Sequence, residues 1–158
     1  RVTGTDLMYA ILKHAEEQKL KVYGIIRKGG LSTKEEIMVM MHKRYPLLKY
    51  QLRYSGEGEV EKMIDQYKPD IIFVGLGFPD QEKWIAHHLR KFGYVKVFVG
   101  IGGAFDFLSE KTTRAPKLIR NSGFEWLWRL IKHPNRIKRI FNAVIIFPLR
   151  VLFKKQNG

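Results

Sequence analysis

The chain contains no cysteine, which excludes a disulfide framework and any thiolate metal site and fits a reducing cytoplasm. It also lacks an apolar run long enough to cross a bilayer, which takes about 20 residues. The longest run of its last third, "FNAVIIFPL" from Phe141 to Leu149, is interrupted by Asn142 and Pro148. The opening "RVTGTDLMYA" has no basic segment leading into an apolar one, so it does not read as a signal peptide. It begins at Arg1 rather than Met, and the expectation is a fragment or trimmed piece of a longer protein. Two further absences bear on chemistry. There is no Asp-x-Asp pair of the kind that many metal-dependent sugar transferases use to hold a divalent ion. The stretch "GLGFPD" lacks the third glycine of the dinucleotide fingerprint, which disfavours a nicotinamide-type site.

Acidic residues are scarce in one region only. From Lys111 onward, twelve Lys or Arg face a single acid, Glu125, whereas seventeen face fourteen before that point. The formal charge of +14 is therefore carried by a basic C-terminal third, and such asymmetry points to an anionic partner, whether nucleic acid, phosphorylated substrate or membrane surface. A merely solvated basic face is the plain alternative, and the aromatic residues in the same stretch argue against it. Hydrophobic residues at 45% with 28% charged place the chain among globular proteins, and 158 residues suffice for one domain with a real core.

The pattern along the chain alternates. "TGTDLMYAILKHAEEQKL" carries a helical stripe with Thr5 as its N-cap, and "KVYGII" reads as a strand. After the turn "RKGG", "STKEEIMVMMHKRY" reads as a helix with Ser32 and Glu35 at capping-box spacing. "KYQLRYS" alternates as a strand does, and "GEVEKMIDQY" is a short helix. "DIIFVGLG" and "KVFVGIGG" read as strands buried on both faces, and the helix between them, "PDQEKWIAHHLRKF", is opened by Pro79 in its first turn. Strands alternating with helices of this length predict an α/β fold, a Rossmann-like parallel sheet with flanking helices. Ligands of such sheets sit beyond the carboxyl ends of the strands. Gly75 and Gly77, and Gly100, Gly102 and Gly103, are predicted to lie at two such ends and to face one crevice. Two parts are expected: a nucleotide-sugar-binding core over 1–110, and a basic amphipathic helical appendage over 111–158.

Individual residues leave alternatives open. Asp80 and Glu82, around Gln81, complement a helix dipole as readily as they line a site. Asp106, in "GGAFDFLSE", caps a helix, pairs with Arg114 or meets a ligand. The five histidines show no metal spacing, and the adjacent His87 and His88 are expected on different sides of their helix, so no metal is expected. Arg129, Arg136 and Arg139 present planar forks that match phosphate oxygens and stabilise a leaving diphosphate, or they serve membrane attraction alone. In the last helix Ile137, Ile140, Phe141, Val144 and Ile145 alternate with Arg136, Lys138 and Arg139. That pattern favours lying on a membrane surface over packing onto the domain.

Together "RVTGTDL", "DIIFVGLGFPDQEKWI", "VGIGGAFDFLSEKTTRAPK" and "GFEWLWRLIKHPNRIKRI" resemble successive motifs of the WecG/TagA/CpsF glycosyltransferases, glycosyltransferase family 26, from Arg1 to about Leu152. The resemblance implies an inverting transferase at the cytoplasmic face of a bacterial plasma membrane. It would move N-acetylmannosamine or a related sugar from a UDP-sugar donor to polyprenyl-diphosphate-linked N-acetylglucosamine, for teichoic acid, common antigen or capsule. It further implies an anionic membrane surface as partner and a homo-oligomer, and with the UDP-sugar counted as substrate no metal or other cofactor is expected. Carried over by motif, Gln81 is the active-pocket glutamine, and Arg129, Arg136 and Arg139 meet the diphosphate. Arg1, Gly75, Gly77, Gly102, Gly103 and Asp106 join Gln81 around the donor. Trp126, Trp128, Lys138, Phe141, Ile145 and Arg150 are the expected membrane contacts.

This chain departs from the family pattern at Asp80, where members often carry lysine, and in the irregular turn "IIRKGG". Members also carry a segment before the position of Arg1 with the aspartate proposed as catalytic base. The expectation is therefore that the chain alone is inactive or badly impaired, Asp106 being a poor stand-in, and that a sheet lacking its first strands exposes an edge. The rival class is a nucleic-acid-binding module, with the basic tail as phosphate track and Trp126, Trp128 and Phe141 as stacking platforms. The aliphatic stripe of the same helix suits lipid better, so nucleic acid is not the expected partner.

Overall fold

The computed structural model describes residues 3–112. The elements run α1 (Gly4–Glu17), β1 (Lys21–Ile26), α2 (Lys34–Arg44), β2 (Lys49–Tyr54), α3 (Val60–Tyr67), β3 (Ile71–Gly75), α4 (Asp80–His88), β4 (Val97–Gly100) and α5 (Ala104–Leu108). The four strands form one parallel sheet in the order β2-β1-β3-β4. This is the α/β, Rossmann-like arrangement that the alternation predicts.

Strand periodicity sorts the core into two layers, because successive side chains point to opposite faces. Val22 and Ile26 of β1, with Ile71 and Phe73 of β3, join Met8 and Leu12 of α1, Ile37 and Met41 of α2, and Phe105 and Leu108 of α5. Tyr23, Ile25, Ile72 and Val74 point the other way, onto Val60 and Ile64 of α3 and Trp84 and Ile85 of α4. Gly24 leaves room in the first layer, where a Cβ would come within 2.3 Å of the Leu52 side chain.

The feet of three strands meet at one aspartate. Lys21 of β1 donates its N–H to Asp70 Oδ2 at 2.9 Å, Lys96 donates its N–H to the Asp70 carbonyl at 2.9 Å, and the Lys96 ammonium lies 2.8 Å from Oδ1. These bonds, first that to Lys96 and then that to Lys21, hold the Asp70 carboxyl below its ordinary pKa.

Three expectations shift. The N-caps are Thr3 and Thr33, each in a complete capping box with the acid three residues on, Asp6 and Glu36, rather than Thr5 and Ser32. Thr5 is buried inside α1, and Ser32 turns its hydroxyl to Asp106. Pro79 stands at the N-cap of α4, one residue before its first turn. Lastly, β4 is not buried on both faces: it is an outer strand of the described sheet, and Val97 is exposed.

Candidate active site

All four strands run the same way, so the loops after β1, β3 and β4 gather at one edge of the sheet. The loop after β3 turns through Gly77 at φ +77°, and the loop after β4 through Gly102 at φ +52°, both in the left-handed region that favours glycine. Gly75 permits the loops to close up, since a Cβ there would sit 3.2 Å from the Gly102 carbonyl and 3.4 Å from that of Ile25.

Gln81 joins these loops. Its Oε1 accepts the N–H of Gly77 at 3.2 Å and the N–H of Gly102 at 2.9 Å, and its Nε2 donates to Glu82 Oε1 at 2.7 Å. Its own backbone N–H returns to the Gly77 carbonyl at 3.0 Å. Gly100 leaves room for the amide, because a Cβ at that position would lie 2.8 Å from Nε2. The two glycine-rich loops thus face each other across one side chain. Gly103 follows as the N-cap of α5.

Asp106 is buried in α5 and accepts a hydrogen bond from Ser32 Oγ at 2.9 Å; Ser32 Oγ also lies 2.6 Å from Ser109 Oγ. Its carboxylate ties α5 to the loop before α2, a role that the sequence alternatives did not include. Arg114 lies outside the described residues, as do Arg1, Trp126, Trp128, Arg129, Arg136, Lys138, Arg139, Phe141, Ile145 and Arg150.

Sequence reasoning passes over Arg27. This residue follows the last position of β1, and its Nε and Nη2 donate to the Leu76 carbonyl at 3.1 and 2.6 Å while Nη2 reaches Asp80 Oδ2 at 2.5 Å. A cation directly after an apolar strand is the signal that could have found it.

Adjacent on α4, His87 is exposed and His88 buried. The rings of His87 and His88 meet edge to face at 4.9 Å, and Glu61 of α3 brings their ligand-capable atoms and its own carboxylate within 4.8 Å of one another. The group was not legible in the spacing because its third member comes from another helix. His88 stacks between Trp84 and Phe92, with Nδ1 on the Trp84 carbonyl at 2.7 Å and Nε2 at 2.8 Å from Glu61. Lys91 also bonds Glu61, and these partners, Lys91 before His88, lower the Glu61 pKa. The cluster reads as a charge-balanced tie between α3 and α4. It lies about two helical turns along α4 from Gln81. A cleft lined by Gln51, Arg53, Met63, Gln66 and Tyr67 opens between β2 and α3 and shares no residue with the glycine loops.

Comparison with known proteins bears on what this edge is for. The family described as Glycosyl transferase WecG/TagA/CpsF matches residues 1–158. Among curated proteins, a Staphylococcus aureus (strain MRSA252) protein named N-acetylglucosaminyldiphosphoundecaprenol N-acetyl-beta-D-mannosaminyltransferase is 32% identical over 163 residues, covering 99% of this chain and 62% of the relative. The protein of the same name from strain MW2 is 31% identical with the same coverage. The chain thus spans about three fifths of the length of these relatives.

Proposed function

This chain belongs to the WecG/TagA/CpsF family of glycosyl transferases, and on that premise we propose that its protein transfers N-acetylmannosamine or a related hexosamine from a UDP-sugar to polyprenyl-diphosphate-linked N-acetylglucosamine. The acceptor follows from the name of the Staphylococcus relatives. The observation that carries the reading is the convergence of the loops after β3 and β4 on Gln81 at the carboxyl edge of a parallel sheet, where ligands of this fold bind.

In this reading Gly75, Gly77, Gly102 and Gly103 shape the donor pocket and Gln81 holds its two walls together. Transfer with inversion needs a base within about 2.6–3.2 Å of the acceptor hydroxyl. Asp106 is not assigned that task, because its carboxylate is buried and engaged with Ser32. Arg129, Arg136 and Arg139 are assigned to the acceptor diphosphate, with Arg1 near the donor phosphates. Trp126, Trp128, Lys138, Phe141, Ile145 and Arg150 are assigned to the surface of an anionic membrane, at its inner face. No helix among the described residues is long and apolar enough to cross a membrane. Neither a metal nor another cofactor is assigned to the transfer, and nucleic acid is not assigned as a partner. Self-association completes the proposal.

The test is transfer by the full protein from UDP-N-acetylmannosamine to a short-chain polyprenyl-diphosphate-linked N-acetylglucosamine, followed by chromatography of the lipid product. One added hexosamine with inverted anomeric configuration is expected. Absence of transfer from every UDP-hexosamine offered would overturn the reading.

A further inference from the structure

The path of the chain decides where a ligand meets this sheet. From β1 the chain departs to α2, on the face shared with α1 and α5, while from the neighbouring β3 it departs to α4, on the face shared with α3. Adjacent parallel strands whose connections leave to opposite faces open a crevice between their carboxyl ends. Arg27 spans that gap, from the end of β1 to Leu76 and Asp80.

We propose that Arg27 is an anion contact of this crevice, held in readiness by Asp80, and that a diphosphate-bearing ligand takes the guanidinium over from the Asp80 carboxylate. Only the identity of that ligand rests on the transferase reading. The Leu76 carbonyl accepts from both Nε and Nη2 and so fixes the plane of the fork. Nη1 has no bond to any described residue. The pair is open to solvent, with the Arg27 side chain 50% and that of Asp80 53% exposed, and exposed pairs contribute little to stability. Asp80 is therefore an exchangeable partner. A diphosphate offers more charge and a bidentate match to the fork.

A second observation favours a side-chain cation. Glycine-rich loops in this position commonly offer backbone N–H groups to phosphate. Here the N–H groups of Gly77 and Gly102 are both taken by Gln81 Oε1. Asp80 and Glu82 add negative charge at the same mouth, and Arg27 offsets it.

Titration calorimetry of the full protein with UDP, uridine, inorganic pyrophosphate and farnesyl diphosphate tests this. Arg27→Ala is expected to weaken diphosphate binding about tenfold or more and to leave uridine unaffected. Asp80→Asn is expected to tighten it, and to tighten it less once Arg27 is alanine. Dependence on Arg27 for UDP alone places the donor there, and for farnesyl diphosphate alone the acceptor. If UDP binds but Arg27→Ala matches the wild type within twofold for every diphosphate, the inference falls and the transferase reading stands. If UDP does not bind but pyrophosphate binds through Arg27, the reading falls and the anion contact stands. No binding of any diphosphate overturns both. Should Arg27→Ala fail to fold, the Asp80→Asn titration decides, and unchanged or weaker binding there overturns the inference.

Discussion

At the scale of single residues, the most consequential side chain is Gln81, and its sequence context alone left it as one of several polar residues in a first helical turn. Only the resemblance singled it out. Its geometry shows why the residues could not: the two N–H groups that it accepts come from loops 25 residues apart, Gly77 and Gly102. Gln81→Ala should cost about 1–3 kcal/mol of stability by leaving both without their acceptor, and should weaken UDP binding. Gly100→Ala provides the control, because its Cβ would displace the Gln81 amide. If Gln81 acts as a brace, Gly100→Ala lowers melting temperature and UDP affinity in the same direction; weakened UDP affinity at an unchanged melting temperature would assign the amide to the ligand instead. Asp70 gives a residue-scale pH dependence. Its pKa is lower folded than unfolded, so its contribution is complete above the unfolded value of about 3.9 and is lost as pH falls through the folded value. Urea titrations between pH 6 and 2.5 should show a shallower loss of stability on acidification in Asp70→Asn than in the wild type.

At the scale of elements, identity was legible and placement was not. The elements from α1 to β4 appear in the order that the alternation predicts. The caps slipped because the local pattern admits two answers: Ser32 with Glu35 and Thr33 with Glu36 both have box spacing, and the choice was made by Asp106, 74 residues along the chain from Ser32. Likewise "DIIFV" and "KVFV" are equally apolar, and the position of each strand in the sheet decides its burial. The consequence is measurable. Ile72 is fully buried in β3, whereas Val97 of β4 is exposed. Ile72→Ala should therefore cost about 2–5 kcal/mol, and Val97→Thr should stay within about 0.5 kcal/mol, both read from urea denaturation.

For the whole molecule, the parallel α/β class was legible because buried strands and amphipathic helices announce themselves by period. The strand order was not, and with it went the crevice between β1 and β3 and its arginine. The charge division along the chain remains a statement about sequence, and the membrane role proposed for it has a direct test. Vesicles rich in phosphatidylglycerol should pellet the full chain at low salt, and phosphatidylcholine vesicles should not. Reversing two charges, Arg136→Glu with Arg139→Glu, should weaken pelleting at least about tenfold, since each basic residue near an anionic surface contributes about 1 kcal/mol. Equal pelleting by the variant would remove those arginines from the contact.

The knot at Asp70 turns strand length into a ruler. With β1 and β3 both set from that one residue, Ile26 comes level with Gly75, and the next step along each brings Arg27 level with Leu76. One residue inserted into β3 would carry Gly77 and Gln81 about 3.3 Å upward and turn every later side chain of that strand to the opposite face. The distance from foot to rim is therefore as much a part of the pocket as the residues that line it.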